Sequence, residues 1–208
     1  MATREGVVKR VNLTAFQNPR KLGIIAITLK SEEDELVSAA ITDGKGAVVL
    51  STSKGKAICF KELDVRPSGR SAGGVRGIRL SKGDRVVGMD VVNQDGEDVL
   101  MTVTESGYGK RTNASEYTVQ GRGGQGLKTT TTGDGVVAVI KVIDNQKLML
   151  ITNTGRLILF KVSEVRLSHR NTHGVKLMDL EPEEVIVDVA PLAIEEDEDD
   201  EESPSQLN

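Results

Sequence analysis

The 208-residue sequence has no tryptophan, three phenylalanines, two tyrosines and a single cysteine. With aromatics at 2% of residues, no core can be built on large rings. The same scarcity disfavours RNA readers that stack bases on aromatic side chains. Cys59 has no second cysteine with which to close an internal disulfide, which fits a reducing cytoplasm. No apolar run approaches the roughly 18 residues of a membrane span. No signal peptide opens the chain, so neither a membrane protein nor an exported one is expected.

Catalytic and cofactor signatures are also missing. No G-x-x-x-x-G-K-[ST] loop occurs. Gly121-Arg122-Gly123-Gly124-Gln125-Gly126 satisfies G-x-G-x-x-G, but Leu127-Lys128-Thr129-Thr130-Thr131-Thr132 follows, and a β-branched run does not open a dinucleotide-binding helix. His169 and His173 stand four apart with no cysteine near and Gly174 directly after, so a polar loop accounts for them better than a metal site. Cys59 and Tyr117 read as core residues, and Tyr108 has no recognisable base beside it. Nothing assembles a nucleophile, base and oxyanion set. Taken alone, the chain is not expected to be an enzyme or to hold a cofactor, a metal or a small-molecule substrate.

What is present is charge, unevenly placed. The net charge is −4, from 27 Lys+Arg and 31 Asp+Glu. Eight of those carboxylates form one run, Glu195-Glu196-Asp197-Glu198-Asp199-Asp200-Glu201-Glu202. Without them, 27 basic residues face 23 acidic ones, and residues 1–194 carry +4. A mildly basic body with an acidic tail suggests a polyanion-binding surface, or simply a solubilising tail.

An internal repeat sets the expected architecture. Gly6, Gly55, Gly107 and Gly155 are separated by 49, 52 and 48 residues. Ten residues after each glycine comes a large apolar residue: Phe16, Val65, Tyr117 and Val165. Small-then-apolar pairs recur in phase at Ala26-Ile27, Gly77-Ile78, Gly126-Leu127 and Gly174-Val175. Aliphatic pairs behind acidic residues recur at Leu36-Val37, Val86-Val87, Val136-Val137 and Val185-Ile186. Short apolar runs before the turns read as buried strands, and the glycines as hairpin turns. Four strands per unit of about 50 residues is the period of propeller blades. The expected organisation is an all-β, propeller-like disc of about four blades, with units 1–46, 47–97, 98–146 and 147–194 and a disordered acidic tail, 195–208. Met1-Ala2-Thr3 reads as the end of a shortened strand, which suggests a piece of something longer.

Positive charge repeats with the units. Past the turn glycines lie Lys9-Arg10, Lys56 with Lys61, Lys110-Arg111, and Arg156 with Lys161. Around the loop before the third strand lie Arg20-Lys21, Arg70 with Arg76 and Arg79, Arg122 with Lys128, and Arg170 with Lys176. If each blade points this loop outward, the rim carries a basic belt that tracks a phosphate backbone without reading bases. Loop glycines would let the backbone come close and offer amides to phosphate. The bland alternative is a set of solubilising surface charges.

Gln120-Gly121-Arg122-Gly123-Gly124-Gln125-Gly126 resembles the Q-[RK]-R-G-G-[RK]-G box of the C-terminal domain of the bacterial DNA gyrase A protein. Residues 3–10, Gly74-Val75-Arg76-Gly77-Ile78-Arg79-Leu80, 106–112 and Arg170-Asn171-Thr172-His173-Gly174-Val175 look like other segments of that domain, and the likeness covers 1–194. Two departures stand out: the box lies in the third unit, where the family has only weakened copies, and Gly121 and Gln125 replace basic residues. The resemblance implies a six-bladed β-pinwheel, of which this chain would be roughly the last two-thirds. It further implies Gln120, Gly123, Gly124 and Gly126 as box residues at a DNA-wrapping rim. The partners implied are duplex DNA, the rest of the gyrase A protein with its cleaving tyrosine, and the ATP-binding gyrase B protein. Cytoplasmic, nucleoid-associated negative supercoiling follows from it. The alternatives are the C-terminal domain of the corresponding topoisomerase IV protein, which serves decatenation, and a protein-interaction propeller.

Overall fold

Each of the four turn glycines sits in a hairpin fastened by a threonine three residues earlier. The Oγ1 atoms of Thr3, Thr52, Thr104 and Thr152 accept the amides of Val7, Lys56, Tyr108 and Arg156 at 3.3, 3.3, 3.2 and 3.1 Å. The same threonines' carbonyls accept the glycine amides at 3.0–3.1 Å. All four threonines are buried, so each hydroxyl satisfies a turn amide that water does not reach. The sequence reading did not single out this T-x-x-G signature, although it recurs in every unit.

The computed structural model describes residues 1–192. Its strands form four sheets. The first contains β1 (Ala2–Thr3), β2 (Val7–Val8), β3 (Leu36–Ser38) and β6 (Val75–Arg76), in the order β3-β1-β2-β6. The second contains β4 (Ala47–Thr52), β5 (Lys56–Lys61), β7 (Val86–Val92) and β10 (Leu127–Lys128), in the order β10-β5-β4-β7. The third contains β8 (Val99–Thr104), β9 (Tyr108–Asn113), β11 (Val136–Val142) and β14 (Val175–Lys176), in the order β11-β8-β9-β14. The last contains only β12 (Lys147–Thr152), β13 (Leu157–Lys161) and β15 (Ile186–Pro191). The all-β blade architecture is as expected from the repeat. Among the described residues no helix is long and apolar enough to cross a membrane.

Blades and sequence units are not the same thing, and here the structure departs from the expectation. The third strand of each unit leaves its own blade and pairs with the second strand of the preceding one. Thus β6 docks on β2, β10 on β5 and β14 on β9. Two consequences follow at the ends. The last blade has three strands, not four, and residues 23–27, the third-strand position of the first unit, form no strand. The expected acidic tail, 195–208, lies outside the described residues.

Packing between blades supplies the core. One face of β4 sends Val48 and Leu50 into a cluster with Ala2, Val8, Ile78 and Met89. Its other face sends Ala47 and Val49 into a second cluster with Leu100, Tyr117 and Val139. A third cluster joins Met101 and Val103 to Leu148, Leu150, Val162 and Ile186. Both faces of β4 are therefore covered, which is why it reads as an unbroken apolar run. Consecutive fourth strands, β3, β7, β11 and β15, pack against one another along the inside of the array. The exchanged strands β6, β10 and β14 lie at the opposite edges of their sheets and form the outer rim.

Candidate nucleic-acid interface

A loop that must cross from one blade to its neighbour approaches that neighbour's backbone closely. At the crossing point stand Gly74, Gly126 and Gly174, with φ of 76°, 72° and 92°. A Cβ there would lie 2.6, 2.6 and 2.5 Å from the carbonyl oxygens of Val8, Ala57 and Gly109. Only glycine meets both demands. The last glycine of the box is thus fixed by strand exchange. Three residues on, the amides of Gly77, Thr129 and Leu177 donate to the turn carbonyls of Gly6, Gly55 and Gly107 at 2.7–2.8 Å. Within the box, the Gln120 amide donates to Cys59 at 2.8 Å and the Gly123 amide to Gly77 at 2.7 Å, while the Gly124 carbonyl accepts the Arg79 amide at 2.8 Å. These backbone groups join blades, and the Gln120 and Gly123 amides are not offered to phosphate.

Arg70, Arg122 and Arg170 occupy one position of the repeat, and their guanidinium groups do one job. Each donates to the carbonyl two residues past the crossing-glycine position of the preceding unit: Arg70 to Ile25 (2.8 Å), Arg122 to Arg76, and Arg170 to Lys128. Arg122 also reaches the Asp64 carbonyl at 3.3 Å, and Arg170 the equivalent Glu116 carbonyl at 3.3 Å. All three are half-buried. They act as clips between units.

Lys9 and Lys110 are corrections to the expected belt. Lys110 is 1% exposed, and its Nζ donates to the carbonyls of His169 (3.2 Å), Arg170 and Thr172 (2.8 Å). Lys9 is buried likewise and donates to Ala26 (2.8 Å) and Arg70. Burial lowers both ammonium pKa values, for Lys110 to about 8, with a smaller push from Arg170 there and from Arg70 at Lys9. Their charges hold the exchanged loop from beneath and do not face solvent.

Other belt members are neutralised locally. Arg111 pairs with Asp144 and donates to the Val165 carbonyl. Lys176 pairs with Asp179 at 2.7 Å. Arg156 is paired with Glu184, whose carboxyl is held down at about 2 by hydrogen bonds from Thr154 and the Glu181 amide. His169 pairs with Glu116 at 3.0 Å, while His173 lies edge-on to Tyr108, so the two histidines serve different partners.

What remains is a compact set. Arg76, Arg79 and Lys128 are exposed and Lys56 is half-buried, and none has an ion pair with a described residue. They are contiguous through the box: the Arg76 carbonyl takes Arg122, the Arg79 amide takes Gly124, and Lys128 is the direct cross-strand partner of Lys56. Like charges directly opposite on neighbouring strands repel unless an anion lies between them. Arg20 and Lys21 are exposed beside the first unit's crossing glycine, and Arg10 is half-buried. Arg66 and Arg166, one residue past the apolar landmarks Val65 and Val165, are also exposed without ion pairs to described residues. Their shared register was the available signal, and the sequence reading passed over it.

Comparison with known proteins agrees with this geometry. The family model described as DNA gyrase C-terminal domain, beta-propeller, matches residues 1–43, 47–93, 98–143 and 146–193. The DNA gyrase A protein of Pseudomonas aeruginosa is 42% identical over 207 residues, covering 98% of this chain and 22% of that protein. The Staphylococcus epidermidis protein of the same name is 41% identical over 199 residues, 94% of this chain and 22% of its own length. The chain therefore spans less than a quarter of these relatives. Among solved structures, a DNA gyrase A C-terminal domain superposes with a TM-score of 0.77 at 28% identity, covering 92% of this chain and 64% of that one. A topoisomerase IV C-terminal domain superposes with a TM-score of 0.85 at 25% identity, covering 93% and 61%. By its four matched blades and these relatives, the chain belongs to the DNA gyrase C-terminal domain family of β-propellers.

Proposed function

We propose that this chain binds duplex DNA without sequence preference along the outer rim and bends it, supporting negative supercoiling by a parent gyrase. The observation that carries the reading is the unpaired cationic cluster of Lys56, Arg76, Arg79 and Lys128 around the box at the rim of the first two blades. Cations held at fixed spacing on rigid strand edges suit a phosphate backbone. Arg20, Lys21 and Arg10 extend the surface toward the first unit. Gly121–Gly126 lies beside the cluster as a structural bridge. Smooth bending of 20–30 base pairs by 40–90° costs about 1–6 kcal/mol, which several phosphate contacts must offset. The catalytic tyrosine and the ATP site belong to other parts of the parent enzyme in this reading.

The test is topological. Closed circular plasmid is relaxed by an independent topoisomerase with increasing amounts of the chain, and the linking-number shift is read at several salt concentrations. A shift that grows with protein and shrinks with salt supports wrapping. Salt-sensitive binding without a shift limits the chain to DNA binding. That result would favour the topoisomerase IV-like reading, for which the higher backbone likeness, 0.85 against 0.77, speaks. Absence of DNA binding refutes the proposal and leaves a protein-interaction propeller.

A further inference from the structure

Strand exchange leaves one unused half-joint at each end of the array. In the first three blades the second strand receives a neighbour's third strand in a single register: Val8 opposite Val75, Ala57 opposite Leu127, and Gly109 opposite Val175. In the last blade β13 pairs only with β12, and its outer edge is bare. Leu157 and Leu159 on that strand are 61% and 51% exposed. The bareness is visible at Gly155 as well. At Gly6, Gly55 and Gly107 the nearest atom to an added Cβ belongs to the exchanged third-strand segment, at 2.9, 3.1 and 2.8 Å, whereas nothing lies within 4 Å at Gly155.

The complementary half lies in the first unit. Gly23 has the crossing conformation, φ 78°, yet nothing lies within 4 Å of an added Cβ, where Gly74, Gly126 and Gly174 touch a carbonyl. The segment after it is already held in place from one side. Lys9 Nζ donates to the Ala26 carbonyl at 2.8 Å, Arg70 to Ile25 at 2.8 Å, and Thr28 Oγ1 to Ser71 at 2.6 Å. The Arg70 bond is the same clip that holds the docked strands β6 and β10. Residues 23–27 are thus presented as a third strand, with their pairing edge open and Ile25 65% exposed.

We propose that residues 23–27 of one copy of this chain dock on β13 of a second copy, making between molecules the joint that the blades make within one. The register follows from the three examples: Ile24 opposite Leu157, Ile25 opposite Arg156, and the Ala26 amide donating to the Gly155 carbonyl. The side chains agree with it. Docked third strands carry Arg76, Lys128 and Lys176 at their second position, but the first unit carries Ile25 there. A cation at that position would face Arg156 directly, and Ile25 does not. An unpaired strand edge flanked by exposed leucines is itself a template for another chain. Both half-joints stand open in the same molecule, so closure within one chain does not supply the partner. Each copy has one donor and one acceptor, so association is head-to-tail.

The experiment uses two variants with changes at exposed positions. Ile25→Lys spoils the donor and keeps the acceptor, while the double change Leu157→Lys and Leu159→Lys spoils the acceptor and keeps the donor. Sedimentation velocity of the unaltered chain is expected to show species that grow with concentration, and each variant alone to remain monomeric. An equimolar mixture of the two variants is expected to stop at a one-to-one dimer, because only a single joint is available to each pair. General stickiness of the leucines would not restore that dimer. A monomeric unaltered chain at every concentration, or a mixture that stays monomeric, overturns the proposal. A monomer whose residues 23–27 are protected from hydrogen exchange overturns it too, by putting the joint inside one molecule.

Discussion

The division of labour between Arg122 and Lys128 can be tested with two neutral substitutions. Arg122→Gln removes the clip to the carbonyls of Asp64 and Arg76. Hydrogen bonds from a charged donor contribute about 1.5–3 kcal/mol each. Because Arg122 is half-buried and one bond is long at 3.3 Å, we expect the pair to contribute about 2 kcal/mol in total. For a chain of this size that lowers Tm by about 4–8 °C. Lys128→Gln touches no such bond and should leave stability within about 0.5 kcal/mol. Binding to a duplex of arbitrary sequence is then measured across salt concentrations. Lys128→Gln should reduce the slope of log K against log salt by about 0.9, the signature of one lost phosphate contact. Arg122→Gln should leave the slope unchanged while Tm falls. If Arg122→Gln flattens the slope and leaves Tm where it was, the arginine is a phosphate ligand and the clip is not what holds the rim.

Four further outcomes follow from the same geometry. Thr104→Val keeps the shape of the side chain but orphans the buried Tyr108 amide, and should cost about 1–3 kcal/mol in urea denaturation. Gly126→Ala meets the Ala57 carbonyl at 2.6 Å with φ at 72°, and should disrupt the joint between the second and third units, seen as lost hydrogen-exchange protection at 127–129; Gly133→Ala has similar φ but open space and should cost only about 1–2 kcal/mol. Lys110 titrates near 8 when folded against 10.5 in the unfolded chain, so between those values the unfolded state binds more protons and stability rises with pH; Lys110→Met should abolish that increment in paired denaturation curves at pH 8 and 10.5. Glu184 behaves oppositely in sign of charge: its folded pKa of about 2 lies below 4.5, so its contribution is complete above pH 4.5 and is lost as pH falls toward 2, and Glu184→Gln should remove that acid-side loss.

The central strands were legible because they obey a local rule. Strands β4, β8 and β12 are six residues long, and the first two are covered on both faces, so apolar runs before a glycine turn sufficed to find them. The exchange was not legible, because β6, β10 and β14 are two residues each and pair with strands some 70 positions away. No periodicity within a unit encodes that choice. It is set by which neighbour's edge is open. The buried lysines failed for a different reason: a lysine under a loop reads like a lysine on a surface. One signal was available, since the position three past the turn glycine is Lys9, Ile58, Lys110 and Ile158, and isoleucine at two of four equivalent positions marks it as inward-facing. The arginines of the box position carried no such mark, since a clip to a backbone carbonyl asks nothing of the partner's side chain.

Exchange also decides where the cost of bending falls. Every blade boundary in the first three blades is crossed by a strand, a glycine at a carbonyl and an arginine clip. Changing the angle between two blades would break those bonds together, because the crossing glycine leaves no slack at 2.5–2.6 Å. The rim is therefore stiff against the scale of a few kcal/mol that bends a short duplex. Of the two bodies, it is the DNA that must conform, and the path it takes is set by blade geometry before any phosphate is engaged. Weakening a clip should then alter the linking-number shift per bound protein more than it alters affinity. Removing a surface cation should do the reverse. Those opposite patterns separate residues that shape the path from residues that hold DNA on it, although both kinds are basic and adjacent in the sequence.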